Sequence, residues 1–244
     1  MLSKATFFER LISIALAYPV MVLGILLFGA RTLQAQDSTM TIEGRVVLQQ
    51  SQQPAVQTGV GSYSNRPQGN SFGNGGSAMN DIVIWLEAKS QNTSFVQTRD
   101  EVPTLDQVDK QFNPRLMAVR VGGTVQIHNS DPVYHNVFSL SKTKRFDVGR
   151  RAPGDNRDVV FDQTGKVDVF CDIHSNMHAV ILVVPAHTFA IKKISGDGGF
   201  QFTDVPKGFD YVLHLYALGD RSKQVDIPMT STDKVTLETI RLGS

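Results

Sequence analysis

One cysteine, two histidines and a methionine in this chain could bind a single ion. Cys171, His174 and Met177 form a Cys-x2-His-x2-Met stretch within the run Val167-Asp168-Val169-Phe170-Cys171-Asp172-Ile173-His174-Ser175-Asn176-Met177. Upstream, His135 sits in Asp131-Pro132-Val133-Tyr134-His135-Asn136-Val137. A thiolate, two imidazoles and a thioether are soft to borderline donors, a combination that suits copper. Structural zinc sites favour more Cys and His and rarely recruit Met. Singly, each side chain has an ordinary explanation: a small buried Cys, a capped His, a core Met. Their joint spacing is what points to a metal.

The elements that must position these donors read as strands. Val167, Val169 and Cys171 alternate onto one face while Asp168 and Phe170 fall on the other, so Cys171 is expected to point inward at the end of a strand. His135 follows an Asn-Ser-Asp-Pro turn signal and opens the pattern Val137-Phe138-Ser139-Leu140. Met117, Val119 and Val121 alternate before a Gly122-Gly123 turn, and Val125, Ile127 and Asn129 continue on one face. His128 then lies on the opposite face and is read as a solvent-side residue. His178 is turned away from the ion if Met177 points at it. The nearly continuous apolar run from Ala179 to Val184 is expected to close this unit.

Residues 129–137, followed by Cys171, His174 and Met177, resemble the type 1 (blue) copper cupredoxins, with a loop spacing most like amicyanin and, more distantly, plastocyanin. The resemblance covers roughly residues 100–185 and includes Phe112-Asn113-Pro114 and Val121-Gly122-Gly123-Thr124-Val125. It implies one type 1 copper ion held by His135, Cys171, His174 and Met177, with Asn136 behind them donating its backbone amide to the Cys171 sulfur, a contact of the kind that tunes a metal site. It also implies a Greek-key β-sandwich and an exposed edge around His174, with Pro132, Val133 and Ile173 as its apolar surround. Ile173 stands where relatives often place Pro.

The chain has 244 residues and a net charge of +1, and removing Lys4, Arg10 and Arg31 together with Glu9 leaves −1. A near-neutral body offers no electrostatic case for nucleic acid. Lys4 and Arg10 precede an apolar run over residues 11–30, and Leu33-Gln34-Ala35 offers a small-residue cleavage site near Ala35. Residues 1–36 are therefore expected to be a signal peptide or, since the run is about long enough to span a bilayer, an uncleaved membrane anchor. Either places the body outside the cytoplasm, in the periplasm or cell envelope. There the sole cysteine, Cys171, has no partner for an internal disulfide.

Residues 41–48 and 81–87 read as strands, and residues 49–80, dominated by Gln, Ser, Gly and Asn, as a flexible loop. Lys142, Lys144, Arg145, Arg150 and Arg151 form a basic cluster, expected to be a solvated loop or else a docking site for an acidic redox partner. After Pro185, the stretches 189–191, 195–202 and 205–213 resemble the second half of the prealbumin-like, carboxypeptidase-regulatory-like β-sandwiches; residues 41–48 and 82–86 offer the matching first half.

The expected molecule is all-β: a cupredoxin domain at 96–185 inserted into a small β-sandwich made of residues 40–95 and 186–244, behind the N-terminal apolar helix. Its expected role is that of an exported one-electron carrier that meets redox partner proteins in the envelope. A copper-delivery protein, or a structural module with a vestigial metal site, would use the same residues. None of the six histidines stands in a His-x-His pair that would build further copper centres, so enzymatic activity is not expected.

Overall fold

A computed structural model of the chain describes residues 38–49, 81–90, 101–194 and 196–243. The signal or anchor expected at 1–36, and the loop expected at 49–80 apart from Gln49, lie outside the described residues. Among those residues the chain forms strands only, so it is all-β. In order these are β1 (Thr39–Leu48), β2 (Ile82–Ala88), β3 (Thr104–Val108), β4 (Gln111–Asn113), β5 (Leu116–Arg120) and β6 (Gly123–Asn129). Then come β7 (His135–Leu140), β8 (Arg145–Arg151), β9 (Asn156–Phe161), β10 (Gly165–Cys171) and β11 (His178–Val184). The last six are β12 (Thr188–Lys193), β13 (Gly199–Pro206), β14 (Tyr211–Ala217), β15 (Arg221–Ile227), β16 (Lys234–Thr236) and β17 (Ile240–Leu242).

Two sheets enclose the core that receives the candidate donors, and the donors lie on or beside the first of them. One has the order β5-β11-β10-β7-β8, the other β4-β3-β6-β9. They share a core that includes Phe112, Val125, Ile127, Val137, Phe161, Val167, Val169, Cys171, Met177 and Ile181. Alternation places Val167, Val169 and Cys171 in this core and leaves Phe170 on the outer face. Two further sheets, β13-β1-β16 with β17 also on β1, and β12-β2-β14-β15, share a separate core around Ile42, Ile84, Leu86, Phe202, Tyr211 and Leu213.

The apolar runs of β2 and β11 follow from burial on both faces. In β11, Ala179, Ile181 and Val183 enter the first core, while Val180, Leu182 and Val184 enter a third cluster with Leu116 and Val83. Trp85, Ile191, Tyr216 and Leu218 pack on that cluster. Arg120 ties the same junction, donating from Nε to the Thr188 carbonyl at 3.0 Å and from Nη2 to the Phe189 carbonyl at 2.9 Å.

The basic cluster is a loop only in part: Lys142 and Lys144 lie in the connection between β7 and β8. Arg145, Arg150 and Arg151 belong to β8, the outermost strand of its sheet, where one flank and the solvent face accept charge. Gly149, with φ of 71°, accommodates the register shift between Asn136 and Phe138.

Candidate metal centre

His135 opens β7 and Cys171 ends β10, and the two strands are hydrogen-bonded neighbours with Cys171 opposite Val137. His174 comes from the turn after β10, which closes as the Met177 amide donates to the His174 carbonyl at 3.1 Å. This brings three donors together. His135 Nδ1 and His174 Nδ1 lie 3.1 Å apart, and Cys171 Sγ lies 3.7 Å from the first and 4.0 Å from the second. A point equidistant from all three lies about 2.1 Å from each, within the span of bonds from a first-row metal to imidazole and thiolate, about 2.0–2.3 Å. The donor set therefore fits a small transition-metal ion in trigonal array.

His135 is fully buried, Cys171 is buried and His174 is half-buried. Among the described residues this is the one cluster of three or more His, Cys, Asp or Glu donors close enough to hold a metal. Met177 is 1% exposed and belongs to the same core as Cys171. Asn136 is also buried; its side-chain amide donates to Asp172 Oδ2 at 3.3 Å, while its Oδ1 is buried without a partner. The other nearby histidines take no part: His128 Nδ1 meets Asn156 Oδ1 at 2.6 Å, and the exposed His178 meets Asp168 at 3.0 Å.

Sequence reading passed over Asp131. Its Oδ2 accepts from His135 Nε2 at 2.7 Å and from the Lys110 amide at 2.9 Å, and its Oδ1 accepts from the Asp109 amide at 2.7 Å. Burial works against a charge on Asp131, but the Lys110 amide, His135 and the Asp109 amide outweigh it and hold the carboxyl below the usual aspartate range. As an acceptor only, the carboxylate makes His135 Nε2 the protonated nitrogen and leaves Nδ1 as a bare donor. A carboxylate four residues before a candidate histidine was the available signal.

Exposed apolar side chains flank the donors in sequence beside the exposed polar Asp172, Ser175 and Asn176. Val133 is 37% exposed, Ile173 38% and Tyr134 59%, so Tyr134 joins the residues expected at this edge. Arg150 and Arg151 stand opposite Asn136 and His135 on the neighbouring strand.

No family model matches the sequence, and no curated protein matches it. Among solved structures the chain is similar to a Cu-containing nitrite reductase from Thermus scotoductus SA-01, at 20% identity and TM-score 0.34 over 38% of this chain and 25% of that one. It is similar to a purple cupredoxin from Nitrosopumilus maritimus, at 22% identity and TM-score 0.31 over 34% of this chain and 99% of that one. It is also similar to a Cu(I) amicyanin variant, at 17% identity and TM-score 0.33 over 41% of this chain and 98% of that one. The chain thus spans a quarter of the nitrite reductase's length.

Proposed function

We propose that the chain is an exported type 1 copper protein that carries single electrons in the cell envelope. The observation that carries this reading is the convergence of His135 Nδ1, His174 Nδ1 and the sole cysteine's Sγ within 4.0 Å of one another, at the buried end of a β-sandwich. Copper held there would supply a one-electron Cu(I)/Cu(II) couple. The protein's part is to keep the donors still. His135 and Cys171 sit on adjacent strands, His174 on a turn closed by its own hydrogen bond, and Met177 in the core, where the expected role is that of a weak fourth donor. Donors placed by the sheet rather than by the ion leave the chain little to rearrange when an electron arrives or leaves. Val133, Tyr134 and Ile173 give the His174 edge an apolar rim on which an envelope redox partner would dock.

In the same reading the donor-bearing sandwich is a cupredoxin Greek key at 96–185, inserted into a prealbumin-like sandwich of residues 40–95 and 186–244. Support comes from β1, β2 and β12–β17, which flank the donor-bearing strands in sequence yet pair among themselves and share one core. Export, and any membrane tether through residues 11–30, rest on the sequence pattern.

Voltammetry of the copper-loaded full chain tests the carrier role. A reversible one-electron wave with rapid self-exchange is expected. No reversible wave, together with ready loss of Cu(I) to a competing chelator, would replace the carrier with a delivery protein.

A further inference from the structure

We propose that Asp131 is a positioning residue for the metal centre, fixing His135 in the Nε2–H tautomer and biasing the site toward the more highly charged metal state. The inference rests on the copper reading above and adds a residue that acts through a ligand.

Asp131 is held more firmly than a turn residue requires. Its carboxylate takes three donors at 2.7–2.9 Å, from His135, Asp109 and Lys110. Its own amide donates to Asn129 Oδ1 at 3.1 Å, and Asn129, fully buried, donates from Nδ2 to the carbonyls of Val133 and Arg151. The segment from Asn129 to His135 is thereby locked on both sides. Asp109 and Lys110 adopt left-handed φ of 53° and 56°, a conformation that turns consecutive amides toward the same carboxylate. Those two amides spread the carboxylate's charge, so it accepts the imidazole proton's hydrogen bond without removing the proton.

Tautomer choice matters because Nδ1 is the nitrogen that faces Cys171 Sγ and His174 Nδ1. A proton on Nδ1 would occupy the donor position. The carboxylate also leaves a negative charge against the far side of His135, and that charge stabilises a divalent ion more than a monovalent one.

Asp131→Leu tests both halves, since it keeps the branched shape and removes both the charge and the acceptor. Oδ2 takes both the Lys110 amide and His135 Nε2–H, so an asparagine would turn its oxygen there and keep the tautomer, whereas leucine leaves Nε2 without an acceptor and frees the ring to take the Nδ1–H form. Nitrogen-15 NMR of the histidine rings in the metal-free full chain should show His135 as a pure Nε2–H tautomer, and Asp131→Leu should convert it partly or wholly to Nδ1–H. Copper affinity should fall about 10–100-fold. The relative preference for Cu(I) should rise at least tenfold, a potential higher by about 59 mV. A wild-type His135 found as Nδ1–H overturns the proposal without any variant. So does a variant less stable to heat but unchanged in tautomer and potential, which would make Asp131 only a cap for the Asp109–Lys110 turn. The tautomer is read without copper, so failure here is distinct from failure of the copper reading.

Discussion

Met177 ends the loop that carries Cys171 and His174, and its side chain is almost wholly buried. Met177→Leu conserves volume and removes only the sulfur, so the metal-free chain should lose less than about 1.5 kcal/mol in denaturant unfolding. The copper-loaded variant should keep its thiolate absorption with an altered potential; an unchanged potential would make Met177 a core filler alone. Met177→Ala should cost about 2–5 kcal/mol through the cavity it opens. The convergence of His135, Cys171 and His174 was legible because Cys171 and His174 stand three residues apart after a strand pattern and His135 opens another strand after a turn signal. Asp131 was not, since an aspartate in an Asn-Ser-Asp-Pro segment already has a turn role. Only the fold brings the Asp109 and Lys110 amides to it.

At the scale of elements, the buried Arg120 adds hydrogen bonds to the apolar packing between β5 and β12. Arg120→Met keeps the apolar stem but removes the guanidinium hydrogen bonds to the Thr188 and Phe189 carbonyls, each worth about 1.5–3 kcal/mol as a bond to a charged group. The urea midpoint should fall with the slope unchanged; a wild-type midpoint would mean water replaces the guanidinium freely. Strand reading from sequence worked where alternation meets one buried face, as in β6 and β10. It also found β2 and β11, whose runs are apolar because both faces are covered. It missed β8, since Arg145, Arg150 and Arg151 look like a loop until an edge position is known. The three-residue strands β16 and β17 were beyond it. They exist through parallel pairing with β1, nearly two hundred residues earlier, a contact with no local signature.

Across the whole molecule, a second ionisable cluster lies on the sheet that faces the junction. His214 stacks on Trp85 with centroids 4.7 Å apart, and Glu87 lies between His214, at 3.2 Å, and His187, at 2.8 Å. Burial pushes the His214 imidazole below its ordinary value, against the opposing pull of Glu87. The unfolded chain therefore binds this proton more readily than the folded one, and stability rises with pH wherever that difference holds. Acidification from about pH 7 through the ordinary histidine value near 6.5 should lower the metal-free melting temperature, and His214→Gln should flatten that part of the curve. Equal slopes in both proteins would assign the dependence to other groups. The all-β class was legible from alternation and turn residues; the packing of β2 and β14 side chains against those of β5 and β11 was not, because two-sided burial does not say which surface covers the second face. The central claim meets its most direct test in the visible spectrum of the metal-free full chain on addition of one equivalent of Cu(II). An intense thiolate charge-transfer band that vanishes in Cys171→Ser is expected, and no such band at stoichiometric copper would contradict a type 1 site built on His135, Cys171 and His174.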